Sequence, residues 1–245
     1  TTILEENSYA RRLLEKRRAS MPAYLPYGLY TVYTVFQRTR SKPPNLYPWH
    51  FRQAQPNEAQ RIVNFISKYG RSSQFYSELQ EQDLQSHTLP GLNIERFYVL
   101  LDEHNEILAA GAIWDQTSYK QYILQGYDGI FRLIAPASRI FPLFGFPAFP
   151  APGSVLRFFT LSFWAVKHQD PDIFRRFFQT IAHVARDYPF FMVGLHERHP
   201  FRHIVEQRPH IRYTSRLYLV SWDKEPRILQ SLDPDRIPYL ECGLL

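Results

Sequence analysis

The stretch SVLRFFTLSFWAVKHQDPDIFRRFFQTIAHVARDY, residues 154–188, contains a change of period. Its first part, 154–166, is an apolar, β-rich run fit for a central strand buried on both faces. From Asp170 onward Ile173, Phe177, Ile181, Val184 and Tyr188 recur at helical spacing, flanked by Phe174, Phe178 and Ala185. Between the two lies KHQDPDIF, 167–174. A junction of this kind is a common phosphate site, because free amides and the helix dipole both point at the anion. This one has no glycine and two aspartates. Asp170 and Pro171 read as an N-cap followed by an N1 proline.

Downstream, PFFMVGLH (189–196) reads as a second buried strand, HPFRHIVEQ (199–207) as a short helix and IRYTSRLYLVSW (211–222) as a closing strand. Upstream, WHFRQAQ (49–55) reads as a strand. PNEAQRIVNFISKYG (56–70) is a helix opened by Pro56, striped by Ile62, Phe65 and Ile66, and ended by Gly70. Residues 72–85 read as a second helix and 95–115 as a hairpin turning at DEHNE. Residues 117–153 form a long insertion rich in Phe, Pro and Tyr, whose proline content excludes a regular helix over FPLFGFPAFPAPG. Insertions of this length serve as lids, as partner-covered segments or as irregular core layers. Before all of these stand a helix over 8–18, capped by Asn7, and a strand over 29–36. A basic, proline-bearing linker occupies 39–46.

The chain has 245 residues and a formal net charge of +6, which favours anionic partners. The densest basic cluster, RRLLEKRR (11–18), reads as a solvated helix face, and nucleic acid is not expected as a partner. Nineteen Phe and sixteen Tyr imply large cores or aromatic-lined pockets. Cys242 is the single cysteine, so no intrachain disulfide can form, in keeping with a reducing compartment such as the cytoplasm. No run of 18 apolar residues is present, so no transmembrane segment is expected. The opening TTILEENSYARRLL has no initiator methionine and no apolar h-region; it reads as the middle of a domain, cut from a longer protein.

The ordered set β-α-α-β-β-insertion-β-α-β-α-β over residues 47–222 resembles the GNAT superfamily of acyl-CoA-dependent acyltransferases. ENSYARRLLEK (6–16) resembles that family's late-helix pattern Asn-x-x-Ala-x-x-Leu-Tyr-Glu-Lys, with Asn7, Ala10, Leu13, Glu15 and Lys16 matching and Leu14 where Tyr is usual. The resemblance implies an α/β fold: a mixed twisted sheet flanked by helices, with the insertion before the central strand. It also implies a tandem organisation: residues 1–38 are the tail of an upstream GNAT-like unit, 39–46 a linker and 47–245 a GNAT-like domain. The family's pyrophosphate loop, Gln/Arg-x-x-Gly-x-Gly/Ala, aligns with QDPDIF (169–174). Gln169 matches, while Asp172 and Phe174 replace the two glycines. The implied coenzyme contacts are Phe163, Ala165, Val166, Gln169, Asp172, Phe174 and Arg175, and the implied co-substrate is acetyl-CoA or another acyl-CoA.

Transfer to an amine needs a base, donors for the carbonyl and an acid for the thiolate. The family's acidic tyrosine falls at Glu206, with Tyr213 as a substitute. Asp115, or His196 and Glu197 in LHERH, supply base candidates, set against a turn-capping role for Asp115. Trp114, Gln116 and Tyr119 shape a pocket. His196, His199 and His203 lack the spacing of a metal set, so no metal is expected. Two functions remain open. One is an N-acyltransferase acting on a small-molecule, protein or peptide amine. The other is a catalytically silent unit that binds a ligand or braces an active upstream unit.

Overall fold

The computed structural model describes residues 1–16, 21–40, 42–86, 88–223 and 231–245. Arg17 and Arg18 of the basic cluster lie outside them. In chain order the elements are β1 (Thr2–Leu4), α1 (Ser8–Glu15), β2 (Ala23–Phe36), β3 (His50–Gln53), α2 (Ala59–Gly70), α3 (Glu81–Gln85), β4 (Phe97–Leu101), β5 (Ile107–Trp114), α4 (Gly129–Ile134), β6 (Phe158–Val166), α5 (Pro171–Val184), β7 (Phe190–His196), α6 (Arg202–Glu206) and β8 (His210–Ser221). The strands form one eight-stranded sheet, β1-β8-β2-β7-β6-β5-β4-β3. Every adjacent pair is antiparallel except β6–β7, which the α5 crossover makes parallel. The sheet is therefore mixed, as expected.

The N-terminal strand is longer than its alternation suggests. It runs from Ala23 through a bulge between Pro26 and Leu29 and pairs with both β7 and β8. The segment 39–46 thus links two strands of one sheet. Asn7 caps α1 by accepting from Ala10 N at 3.0 Å.

Each face of the sheet has its own packing. On one face, Tyr33, Val35, Phe159, Leu161, Phe191 and Val193 meet Phe174, Phe177, Phe178 and Ile181 of α5. Burying each of these side chains contributes roughly 1.5–3 kcal/mol. Val184, placed on the apolar stripe by its spacing, is 43% exposed. On the other face, Ile62, Val63 and Ile66 of α2 cover Val99, Ala110, Ala112 and Ala165. The remaining half of that face, formed by β2, β7 and β8, is spanned by the insertion. The expected helix over 72–85 is short: only Glu81–Gln85 is helical. Phe75 takes a left-handed φ of 61°, and Gln74 bridges in strand fashion to Pro238. The apolar insertion forms α4 and a 3-10 run over Pro136–Phe144, closed by Gly145 at φ 78°. Its outer surface leaves Leu133, Leu143 and Phe144 mostly exposed.

Glu58, at the entrance to α2, joins β3 to that helix. It accepts from both Arg52 guanidinium nitrogens, at 2.7 and 2.8 Å, and from Gln55 N at 2.9 Å. Arg52 holds its carboxyl down at about 2. The native pKa lies below the unfolded one, so the stabilisation is present above about pH 4.5 and is lost as pH falls toward 2. Glu58→Gln should destabilise the protein by about 1–3 kcal/mol at pH 7 and flatten its acid-unfolding profile between those limits, as urea titration at several pH values would measure.

Candidate functional site

β6 and β7 pair only where Phe158–Thr160 face Phe190–Met192; beyond that they splay apart. Phe163, past the divergence, has φ 46°, and the β5–β6 register slips between Ala110 and Ala112. This is a bulge, which takes the Phe163 N–H out of the ladder. The chain's own C-terminal segment fills the opening. Glu241, 2% exposed, accepts from Phe163 N at 2.6 Å, from Tyr239 Oη at 2.7 Å and from Gly243 N at 3.1 Å. Burial pushes its carboxyl up, against those donors. Tyr30 Oη donates to Leu240 O at 2.8 Å, and Gln74 pairs by its backbone with Ile237 and Tyr239 at 2.9 and 2.8 Å. Arg236 donates to the carbonyls of Arg71, Ser72 and Ser73, while Arg198 donates to Pro234 O and Arg236 O. Nothing in the periodicity of the sequence marks this segment; an acid among apolar residues in PYLECGLL was its only signal.

The pocket residues read from the sequence do converge, but on this tail. Trp114 is buried and donates to Pro90 O at 2.9 Å. Gln116 Nε2 donates to Tyr119 Oη at 2.7 Å and to Gly243 O at 2.8 Å. Gly243 lies so close to the indole that a Cβ would stand 2.5 Å from Trp114 Cε3. Cys242, partly buried, lies here too, and its burial pushes the thiol up to about 12.

Each base candidate holds hydrogen bonds to its surroundings. Asp115 Oδ1 accepts from Thr117 N at 2.9 Å and from its hydroxyl at 2.6 Å, and Oδ2 accepts from Tyr188 Oη at 2.9 Å. Burial alone would raise its pKa, but these hydrogen bonds outweigh burial and hold it below the ordinary value. It is the turn cap that competed with the catalytic reading. His196 is buried, and its Nδ1 accepts from Arg198 N at 3.2 Å, which puts the ring proton on Nε2, facing Tyr27 O at 3.4 Å. Burial lowers its pKa. Gly28, at φ 102°, is required beside it, since a Cβ there would lie 2.4 Å from His196 Nε2. Glu197 Oε1 accepts from Leu29 N at 3.0 Å and pins the β2 bulge. His199 Nδ1 accepts from Phe201 N at 3.2 Å, and burial takes this imidazole down to about 3. Among the described residues no three His, Cys, Asp or Glu are grouped to hold a metal ion. Tyr213 sits on β8, half-exposed and two strands from β7, so it does not meet the histidines. Glu206 is bound by Tyr33 Oη at 2.7 Å and by Arg202 at 3.1 Å.

At the strand–helix junction Asp170 caps α5, accepting from Asp172 N at 2.8 Å and Ile173 N at 3.2 Å. Asp172 is exposed and pairs with Arg175. Phe174 is fully buried, with its ring stacked 4.2 Å from that of Phe201. Gln169 has φ 51° and reaches Ser72 Oγ at 3.3 Å. Ala165 and Val166 are paired to Ala110 and Ala109 of β5.

No protein-family model matches the sequence, and no curated protein is recognisably similar to it. Solved structures do match. A GCN5-related N-acetyltransferase from Sphaerobacter thermophilus superposes with a TM-score of 0.50 over 89% of the chain, at 10% identity. The fold is that of the GNAT acyltransferases. The chain spans 58% of that protein's length. The N-myristoyltransferase of Saccharomyces cerevisiae, solved with bound myristoyl-CoA, overlaps 84% of the chain and 46% of its own length at 9% identity and a TM-score of 0.40. A GNAT-family acetyltransferase from Streptococcus agalactiae 2603 overlaps 70% of the chain at 14% identity and a TM-score of 0.40.

Set against the coenzyme contacts that the GNAT resemblance implies, the residues present do not fit acyl-CoA. The α5 amides that would take a pyrophosphate already hold the Asp170 carboxylate. The Phe163 amide, left free by the bulge, already holds Glu241. Phe174 belongs to the core rather than to a ligand surface.

A chamber of about 1030 Å³ lies between β2, β7, β8 and the insertion. Its floor includes Tyr30, Val32, Thr34, Phe36 and Met192, and its roof Tyr127, Phe131, Phe141 and Phe149. No helix among the described residues is long and apolar enough to cross a membrane.

Proposed function

We propose that this chain is a catalytically silent GNAT-fold unit that binds a ligand and braces an active unit preceding it in a tandem protein. The observation that carries this reading is the Glu241 carboxylate on the Phe163 amide, which leaves the splay filled by the chain itself. The N-cap carboxylate of Asp170 supports it from the other end of the same cleft. In this reading residues 1–38 are the last helix and strand of the upstream unit, seated in the sheet of the unit that follows. The partner is that upstream unit, and the protein works in the cytoplasm, without nucleic acid.

A second reading, N-acyl transfer from acetyl-CoA or another acyl-CoA to a small-molecule, protein or peptide amine, is favoured by the bulge itself. A backbone N–H turned out of a central strand is a donor suited to a developing oxyanion. That reading requires residues 237–245 to leave the splay. Calorimetric titration with acetyl-CoA separates the two. The silent reading expects no saturable heat at millimolar coenzyme, for the native chain and for Asp172→Gly alike, because Asp172 is not the group that blocks the amides. Micromolar binding by the native chain would overturn it.

A further inference from the structure

The shape of the chamber and an arginine beside its rim point to a class of ligand. Its floor follows β2 from Tyr30 to Phe36, six residue steps, or about 20 Å. That is the length of a long extended acyl chain. Its volume, about 1030 Å³, lies at the upper end of the range for small-molecule sites. The lining is aliphatic and aromatic over most of its extent. Phe149 ties the roof together, stacking on Tyr127 and Phe36 and meeting Phe141 edge-on, with ring separations of 5.6, 6.5 and 5.5 Å.

At one end Thr39 N donates to Gly145 O at 2.8 Å and ties the end of β2 to the insertion, while Phe36 N and Gln37 N extend the strand pairing to Pro209 O and Pro189 O at 2.9 and 3.0 Å. Two guanidiniums lie near this end. Arg38 lies 5.1 Å from the ring centroid of Phe146, which lines the chamber. Arg208 precedes Pro209 in the chain, and its Nε is buried without a hydrogen-bond partner among the described residues. Burial, and after it the charge of Arg38, lowers the pKa of Arg208, and neither arginine forms an ion pair with a described residue. Asp128, the carboxylate on the lining, is exposed and caps α4. Neither guanidinium lines the chamber, and Arg38 is exposed beside its rim; an apolar tunnel with a cation at its rim suits an anion carrying one long tail, the tail inside and the head at the surface.

We infer that the chamber binds a single-chain anionic amphiphile, a long-chain fatty acid or its phosphate-headed counterpart, with the tail along β2 and the head at Arg38. This names the ligand of the binding role proposed above and rests on that reading. Nothing in it requires acyl transfer.

The test is fluorescence titration of the intact chain with cis-parinaric acid, followed by displacement with saturated fatty acids of increasing length, with a lysophosphatidic acid and with the uncharged alcohol of matching length. Affinity should rise about fourfold per added CH₂ and level off once the tail reaches the chamber's length. Arg38→Ala should weaken the fatty acid about tenfold and leave the alcohol unchanged. Val32→Trp, which fills the floor, should abolish binding of both. Circular dichroism of each variant confirms its fold, and the length series on the native chain stands without them. The carboxylate and phosphate arms decide which head group is preferred. No parinarate binding, an affinity independent of chain length, or binding undiminished in a folded Val32→Trp variant would each overturn the proposal. Failure there leaves a bracing role standing, whereas tight acetyl-CoA binding removes the silent reading by itself, so the two failures are distinct.

Discussion

Replacing Glu241 by alanine should lower stability by about 4 kcal/mol, because the Phe163 and Gly243 amides and the Tyr239 hydroxyl all lose a buried acceptor. In a chain of this size that corresponds to a fall in Tm of roughly 10 °C. The loss should depend on pH in a defined direction. Burial raises the Glu241 pKa above 4.5, so the native state binds its proton more tightly than the unfolded chain does. Its contribution is then full below about pH 4.5 and declines as pH rises through the raised native value. Thermal melts of both proteins from pH 4 to 8 should show the native chain's advantage over Glu241→Ala shrinking upward. A constant difference would place the carboxylate in solvent rather than in the splay.

Placing the two glycines of the GNAT loop pattern at the α5 junction should give opposite results at the two positions. Phe174→Gly removes a fully buried ring stacked on Phe201 and packed on Phe178 and Trp164, and adds a glycine to a helix. The expected cost is about 3–5 kcal/mol, a large share of the stability of an ordinary domain. Asp172→Gly removes an exposed side chain whose partner is the neighbouring Arg175. Its cost should stay within about 1 kcal/mol, mostly helix propensity. Urea unfolding of the two variants reads both effects. Equal costs would mean that Phe174 is not the core residue the packing makes it.

That contrast also shows what was legible in the sequence. Most of the order of strands and helices was, though not the edge strand β1, because alternation at 29–36 and the 3.6-residue stripe from Ile173 to Ile181 report directly on burial. The capping of α5 was also legible, since Asp-Pro at a strand–helix junction states its own hydrogen bonds. The placement of β2 between β7 and β8 was not, because pairing partners leave no local pattern. Residues 72–85 misled because their composition is helical while Phe75 turns left-handed against the tail. The convergence of Trp114, Gln116 and Tyr119 was anticipated, but not that they would seat Gly243 of the same chain. A terminal strap has no period of its own. Its register is set by single contacts such as Glu241 with Phe163, and these exist only once the sheet has formed.

The central claim is that the splay between β6 and β7 is filled by the chain's own C-terminal segment. Amide hydrogen exchange at Phe163, followed by NMR, tests it most directly. The account predicts core-strand protection at this bulged residue, lost in Glu241→Ala and unchanged by millimolar acetyl-CoA. Rapid exchange in the native chain, or a Phe163 amide signal that shifts and becomes protected only when acetyl-CoA is added, would contradict it.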